Sequence, residues 1–405
     1  MTANSTMDIP AHVPQDRVVD FDYLRPAGID EDLHLAWKRA QDSLPDLFWT
    51  PRNGGHWVAT RAEDIKAIQL DHQRFSHKRL LIQAPEGREG SVLTMDPPRH
   101  GLYRMLISPA FSPKAIAALE PTVRQTAVTL IEELRPRGEC EFVGDFAKVL
   151  PVVVFLGLVD LPLEDRESLL PFAEKIARPR SPQEHGEGQA GLMQYIRQVL
   201  TARAEQPGGD LLSKIVTSKI DGEPIAFDAA VALSTTVLAG GLDTVASILG
   251  FVARFLALNP GHRRQLIDDP SLVGNAVEEL IRRHGIVNTA RVLTQDTEFK
   301  GVRLRAGEQI LLPNNLYGLD ERQVDDPLVV DFTRAHPDRH YAAFGNGPHR
   351  CPGSFLAKSE ITVFLQEWVA RIPDFDIKPG TTPRMASGHV NATHELHLVW
   401  DTDSR

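Results

Sequence analysis

The stretch Phe344-Gly345-Asn346-Gly347-Pro348-His349-Arg350-Cys351-Pro352-Gly353 decides how this chain reads. It sets one of only two cysteines in a glycine-bracketed loop, directly after an imidazole and a guanidinium. Glycines at 347 and 353 permit close backbone approach, and cations beside a thiol favour its thiolate. The residues that follow, Ser354 to Ile361, read as the opening of a helix. The sulfur therefore lies near a helix N-terminus, the end that favours an anion.

Working outward, the composition narrows the classes. A chain of 405 residues exceeds the roughly 250–300 at which single cores stop growing, so it is one large domain or two. A net charge of −10 gives the whole chain no nucleic-acid footprint. Two cysteines exclude a disulfide scaffold and fit a reducing compartment. Cys140 reads as a structural residue at the edge of the core. Met1 to Asp16 is polar and has no apolar signal core. The longest apolar region, Ala229 to Leu258, is broken by Asp243 and Arg254. No part of it reaches the roughly 18–20 uncharged residues of a membrane span, so it reads as a buried helix. The expectation is a cytoplasmic protein with no membrane or nucleic-acid partner, monomeric by default.

The patterning is mostly helical, with small sheets to one side. Residues 1–18 read as a flexible arm and 19–405 as a single domain. Asp30 to Gln41 reads as an amphipathic helix. Leu47–Thr50 and His56–Thr60 flank Asn53-Gly54-Gly55, a hairpin signal. Ser112-Pro113 opens a helix whose apolar positions run Leu119, Val123, Ala127, Leu130 and Leu134. Arg178 to Gly191, rich in Pro, Gly and Glu, reads as a mobile loop. A long helix runs from about Phe227 to Asn259-Pro260, and another spans roughly Ser271 to Arg283. Val302–Leu304, Gln309–Leu312 and His394–Trp400 read as short strands.

As a metal ligand, a single thiolate without His or Cys partners at ligand spacing makes a poor zinc site. It suits the axial position on haem iron, where thiolate donation favours O–O cleavage. The bland alternative is a buried, apolar cysteine. Three further motifs bear on the choice. Glu279-Leu280-Ile281-Arg282 has i,i+3 spacing, alone an ordinary surface pair. Leu238-Ala239-Gly240-Gly241-Leu242-Asp243-Thr244 sets paired glycines inside a helix, at a cost of about 1 kcal/mol each relative to alanine. That marks either close helix packing or the approach of a ligand. Asp96-Pro97-Pro98-Arg99-His100-Gly101-Leu102-Tyr103-Arg104 opens a helix with His100 and Arg104 one turn apart on one face.

Taken together, these motifs resemble the cytochrome P-450 family of haem-thiolate monooxygenases. Its loop Phe-x-x-Gly-x-His/Arg-x-Cys-x-Gly is met by Phe344, Gly347, His349, Cys351 and Gly353. The resemblance runs from about Asp20 to Trp400 and is nearest to the bacterial camphor hydroxylase branch. It implies the cytochrome P-450 fold, with the long central helix over haem b and Cys351 as axial iron ligand. It implies Asp243 and Thr244 as the acid–alcohol pair that delivers protons during dioxygen activation. Gly240, Phe344 and Gly353 are implied beside the haem, and His100, Arg104, Arg291 and His349 as donors to its propionates. Glu279 and Arg282 are implied as a brace completed by Arg334, with Arg339 as runner-up.

The implied reaction hydroxylates an unactivated C–H bond of a small apolar compound, a terpenoid or norisoprenoid. It uses O2 and electrons from an iron–sulfur ferredoxin served by a flavin-dependent reductase. Arg104, Arg350 and Lys358 are implied as the docking cations. By position, Thr236, Ala239, Val287, Asn288, His389 and Val390 line the pocket.

Three departures stand out. No tyrosine lies between Arg61 and Gly101, where the camphor enzyme anchors its ketone. His389 stands where a small apolar residue is usual, either donating to substrate or turned away. Pro352, directly after the cysteine, offers no N–H to the sulfur. The competing readings are a peroxide-driven haem oxygenase, a non-enzymatic haem-based binder or sensor, and a haem-free helical protein. The Asp243-Thr244 pair speaks against the first, because peroxide already supplies reduced oxygen.

Overall fold

The computed structural model describes residues 7–83, 86, 87, 89–177 and 182–402. Helices dominate and the sheets are small. In chain order the helices are α1 (Leu33–Ser43), α2 (Ala62–Leu70), α3 (Arg99–Ile107), α4 (Pro113–Leu134), α5 (Val149–Leu158), α6 (Arg166–Ala177) and α7 (Pro182–Glu205). They continue as α8 (Leu211–Val216), α9 (Phe227–Leu242), α10 (Thr244–Leu258), α11 (Pro260–Asp268), α12 (Val273–Arg283), α13 (Asn314–Tyr317) and α14 (Ser354–Arg371). The strands are β1 (Leu47–Thr50), β2 (His56–Ala59), β3 (Phe75–Ser76), β4 (Glu139–Glu141), β5 (Lys219–Ile220), β6 (Glu223–Pro224) and β7 (Asn288–Leu293). After them come β8 (Thr297–Phe299), β9 (Val302–Leu304), β10 (Gln309–Pro313), β11 (Phe375–Ile377), β12 (Arg384–Ala386), β13 (Ala392–Glu395) and β14 (His397–Trp400).

The largest sheet has the order β1-β2-β10-β7-β3. Its β1–β2 hairpin turns through Asn53, Gly54 and Gly55, all at positive φ, which explains the Asn-Gly-Gly signal. Ser112 caps α4 by accepting from the Ala115 N–H at 3.3 Å, and Val123, Ala127 and Leu134 lie buried on its inner face. Asp32 caps α1 in the same way, accepting from Leu35 N–H at 3.0 Å, so that helix begins at Leu33. Phe142, Phe146, Phe364 and Trp368 pack with ring centroids 5.1–5.6 Å apart. This cluster anchors α14, and with it the cysteine loop that feeds α14.

Four expectations change. Of the expected loop Arg178 to Gly191, residues 178–181 lie outside the described residues, and the rest belongs to α7. Its glycines serve helix packing: a Cβ on Gly188 or Gly191 would come within 2.7 Å of Lys175 or 2.3 Å of the Phe172 ring. The long helix is interrupted at Asp243, whose φ of −128° ends α9 and begins α10. Residues 227–258 are long and apolar enough to cross a membrane, but they are mostly buried in the core. The C-terminal run divides, β13 pairing with β12 and β14 joining β11 and β4. From Met7 onward the expected arm is docked: Val13 is buried, His12 Nε2 lies 2.8 Å from Glu308, and Val18 bridges to Trp49.

Candidate active site

A cavity of about 2210 Å³ opens between α9/α10, β7, the cysteine loop and the turn before β13. Strand alternation makes its wall: Val287, Thr289 and Arg291 line it, while Asn288 between them does not. Cys351 lies on the wall, and its exposure is to the cavity. Its N–H donates to the Phe344 carbonyl at 2.8 Å, closing the loop. Gly345 and Gly347 both sit at φ +69°, where a side chain is strained, and a Cβ on Gly347 would meet the Gln69 carbonyl at 3.1 Å. Burial pushes the Cys351 thiol up, opposed by the Gly353 N–H and by Arg104 and Arg350. Phe344 and Gly353 line the cavity beside it. Cys140 is buried in β4, away from this site.

The cations come together as expected, with one addition. Arg291 is buried and donates only to its neighbour, the Ala290 carbonyl, at 2.8 Å; burial lowers its pKa to about 9. Burial likewise lowers His349 to about 2 and His100 to about 4. Arg104 lines the cavity and donates to the Arg350 carbonyl. His100 packs behind His349, at 4.1 Å between ring centroids, and does not itself line the cavity. His77 does, stacked on His349. Sequence reading missed it, because a lone histidine after β3 carries no motif.

Asp96 acts electrostatically on Arg291 and His100, but both its oxygens are already engaged by Ser76 Oγ and the His77 N–H. Among the described residues, His349 Nε2, His100 Nε2, Arg291 Nε and both ring nitrogens of His77 make no well-formed hydrogen bond. Buried donors without an anion fit a bound dicarboxylate, and a thiol on the same apolar wall fits its metal. The residues therefore fit a haem.

The brace is assembled. Glu279 and Arg282 are fully buried and joined by two bonds, at 2.7 and 2.8 Å. Arg334 Nε donates to Glu279 at 3.1 Å, whereas Arg339 is exposed. A second tie to the loop was not legible in advance: Asn346 Nδ2 donates to Gln69 Oε1, and Gln69 Nε2 to Asn314 Oδ1, both at 2.8 Å. Lys358, expected as a docking cation, is instead paired with Glu278 at 2.6 Å and set over the Tyr341 and Phe344 rings.

At the helix break the two glycines divide their labour. A Cβ on Gly241 would strike the Phe155 ring at 2.1 Å, so this glycine serves packing. Gly240 has open space and lines the cavity. Thr244 Oγ1 donates to the Gly240 carbonyl at 3.0 Å. Asp243 is buried, with Ser247 Oγ 3.4 Å from its carboxylate. It also borders a second cavity of about 380 Å³, lined with Lys148 and Glu167.

Of the expected pocket residues, Thr236, Ala239, Val287, His389 and Val390 line the cavity. Asn288 is corrected. Its strand position turns it into the wall, where Nδ2 donates to the Gly388 carbonyl at 2.6 Å.

A family model described as cytochrome P450 matches residues 190–390. Probable cytochrome P450 127A1 of Sinorhizobium fredii is 34% identical, over 98% of this chain and 97% of that protein. The crystal structure of CYP101J2 superposes with a TM-score of 0.89 at 36% identity, covering 98% of this chain and all of the other. That of CYP101C1 gives 0.88 at 38% identity, over 97% of this chain and all of the other.

Proposed function

The chain belongs to the cytochrome P450 family, monooxygenases built on haem b with a thiolate ligand, and from that premise we propose that it hydroxylates a small, compact terpenoid with electrons from a ferredoxin. The observation that carries this reading is that one cavity holds Cys351, the Asp243–Thr244 helix break and the unpartnered donors around Arg291. Cys351 would hold the iron, and His77, Arg104, Arg291 and His349 the propionates, with His100 supporting His349 from behind. The haem, when bound, supplies dioxygen binding and cleavage.

The protein's own residues supply shape and protons. Thr244 Oγ1 gives its proton to the Gly240 carbonyl, so its lone pairs are free to accept and hold a water at the break. The Asp243 carboxylate borders the Lys148–Glu167 cavity on one side and the large cavity on the other. It takes a proton from the first and releases it towards Thr244 in the second. Val287 and Val390, bridged across the wall, and Ala239 give the pocket its apolar faces.

The ferredoxin reading is supported by the surface around the cysteine loop. There α3 and the loop meet through Arg104 and the Arg350 carbonyl, and α3 and the start of α14 carry exposed Met105 and Phe355. Arg350, exposed on this surface, is the docking cation, and Lys358 is not. Two cysteines in 405 residues support a reducing compartment, the cytoplasm, as the setting of this proposed reaction.

The test is the carbon-monoxide spectrum of the reduced protein. Wild type gives the red-shifted thiolate band and Cys351→His loses it. A haem-free wild type, or a Cys351→His variant with an unchanged band, overturns the assignment.

A further inference from the structure

His389 sits in a turn that the fold holds from several sides. The Asn288 N–H donates to the His389 carbonyl at 2.8 Å, and the Asn391 N–H to the Ile286 carbonyl at 2.6 Å. Asn288 Nδ2 donates to the Gly388 carbonyl, and Ser387 Oγ to the Tyr23 carbonyl at 2.7 Å. So fixed, the imidazole places Nδ1 2.7 Å from the Asn288 carbonyl oxygen. A carbonyl only accepts, so Nδ1 carries the hydrogen. Burial pushes the imidazole pKa down, which keeps the ring neutral. A neutral ring with Nδ1–H has a bare lone pair at Nε2. No partner for Nε2 occurs among the described residues, and His389 lines the cavity.

Three further side chains that line the cavity have the same polarity. His185, close enough to His389 to act on it electrostatically, sets its Nδ1 3.0 Å from the Ile176 carbonyl. Thr235 and Thr236 give their hydroxyl protons to the Val231 and Ala232 carbonyls, at 2.7 and 2.8 Å. Thr236 Oγ1 also lies 3.4 Å from Ser91 Oγ. What these four side chains offer the cavity is lone pairs.

We infer that Nε2 of His389 accepts a hydrogen bond from the substrate, so that the pocket selects a compound carrying a hydroxyl or N–H, a terpene alcohol, over the corresponding ketone. The inference rests on reading this cavity as the substrate pocket of a monooxygenase. A ketone oxygen set against this wall meets another acceptor, whereas a hydroxyl satisfies one. Competing donors include Tyr23, whose carbonyl is tied to this turn, the hydroxyls of Ser91 and Thr289, and the exposed amides of Gln189 and Gln194.

The test uses 2-adamantanol and 2-adamantanone, an alcohol and its corresponding ketone on one cage, titrated into the holoprotein by the spin-state shift of its absorption band. The alcohol is expected to bind roughly 10-fold more tightly to wild type. His389→Asn keeps a donor towards the Asn288 carbonyl, but its amide oxygen ends short of the position of Nε2, and His389→Leu has neither donor nor acceptor. The preference falls to near unity in each. Nitrogen NMR of histidine-labelled wild type, in the diamagnetic reduced carbon-monoxide form, shows His389 as the Nδ1–H tautomer.

A ketone that binds wild type as well as the alcohol overturns the inference, as does an alcohol that does not bind at all. So does a preference that persists in both variants, which puts the anchor at Tyr23 or the glutamines, and so does an Nε2–H or doubly protonated His389. The carbon-monoxide spectrum of the same preparation reports on the underlying reading separately. A thiolate band without alcohol preference sinks the inference alone, and a missing band sinks the reading beneath it.

Discussion

The imidazole of His77 lies stacked on that of His349, with centroids 3.3 Å and planes 12° apart, and neither His77 nitrogen makes a well-formed hydrogen bond among the described residues. Two uncharged rings in that position serve each other as packing and wait on an anion for their hydrogen bonds. His77→Phe preserves the stack and removes the donors. Haem loss to a competing haem-binding protein is expected to quicken roughly tenfold, with the fold unchanged by circular dichroism. An unchanged rate would mean that His77 is packing alone.

Glu360, in α14, is buried, and burial raises its pKa from 4.5 to about 8. Between those values the native state holds a proton that the unfolded state has lost, so stability falls as pH rises through the window. The fall is at most roughly 5 kcal/mol. Glu360→Gln flattens that slope in denaturant titrations at pH 5, 6.5 and 8. Parallel slopes in the two proteins would show that Glu360 is ionised when folded.

The Gly353 N–H already points at the Cys351 sulfur, and Pro352 denies it a second donor. Pro352→Leu restores an N–H, draws charge from the thiolate and raises the haem potential. A shift on the order of 40 mV corresponds to about 1 kcal/mol in a one-electron couple. Spectroelectrochemistry that finds an unchanged or lower potential contradicts this.

Glu279→Gln strands two guanidiniums, one of them fully buried, and is expected to cost about 3–5 kcal/mol, with poor haem incorporation. Arg339→Ala stays within about 0.5 kcal/mol, because Arg339 is exposed and outside the brace. Denaturation midpoints of the pair separate the two arginine assignments, since a costly Arg339→Ala would move the brace.

Gly241→Ala pushes a methyl into the Phe155 ring and costs about 1–3 kcal/mol. Gly240→Ala meets open space, leaves stability nearly untouched and narrows the large cavity. Thermal melts of the two variants in parallel decide it, and equal losses would refute the division.

The chemistry-bearing segments were legible because each needs a residue type at a fixed spacing within one element. The cysteine loop, the Glu279/Arg282 turn and the Asp243–Thr244 pair all obey that rule. What escaped depended on neighbours distant in sequence. The glycines at 188 and 191 signal a loop until Phe172 and Lys175 are seen to fill the space they leave. Asn288 looks like a pocket residue until the register of β7 against β10 fixes which face it takes. Lys358 looks like a free cation until Glu278 of α12 is placed beside it. His77 and the Gln69–Asn346 tie have no local pattern at all.

At the helix break, Asp243 and Pro171 border both cavities and so stand between them. A guest that dries the larger compartment need not dry the smaller, where the charged Lys148 and Glu167 favour water. Dehydration around the substrate and hydration of the proton source are thereby set independently. The chain can exclude bulk solvent from the bond being oxidised without starving the carboxylate that must be recharged on every turnover.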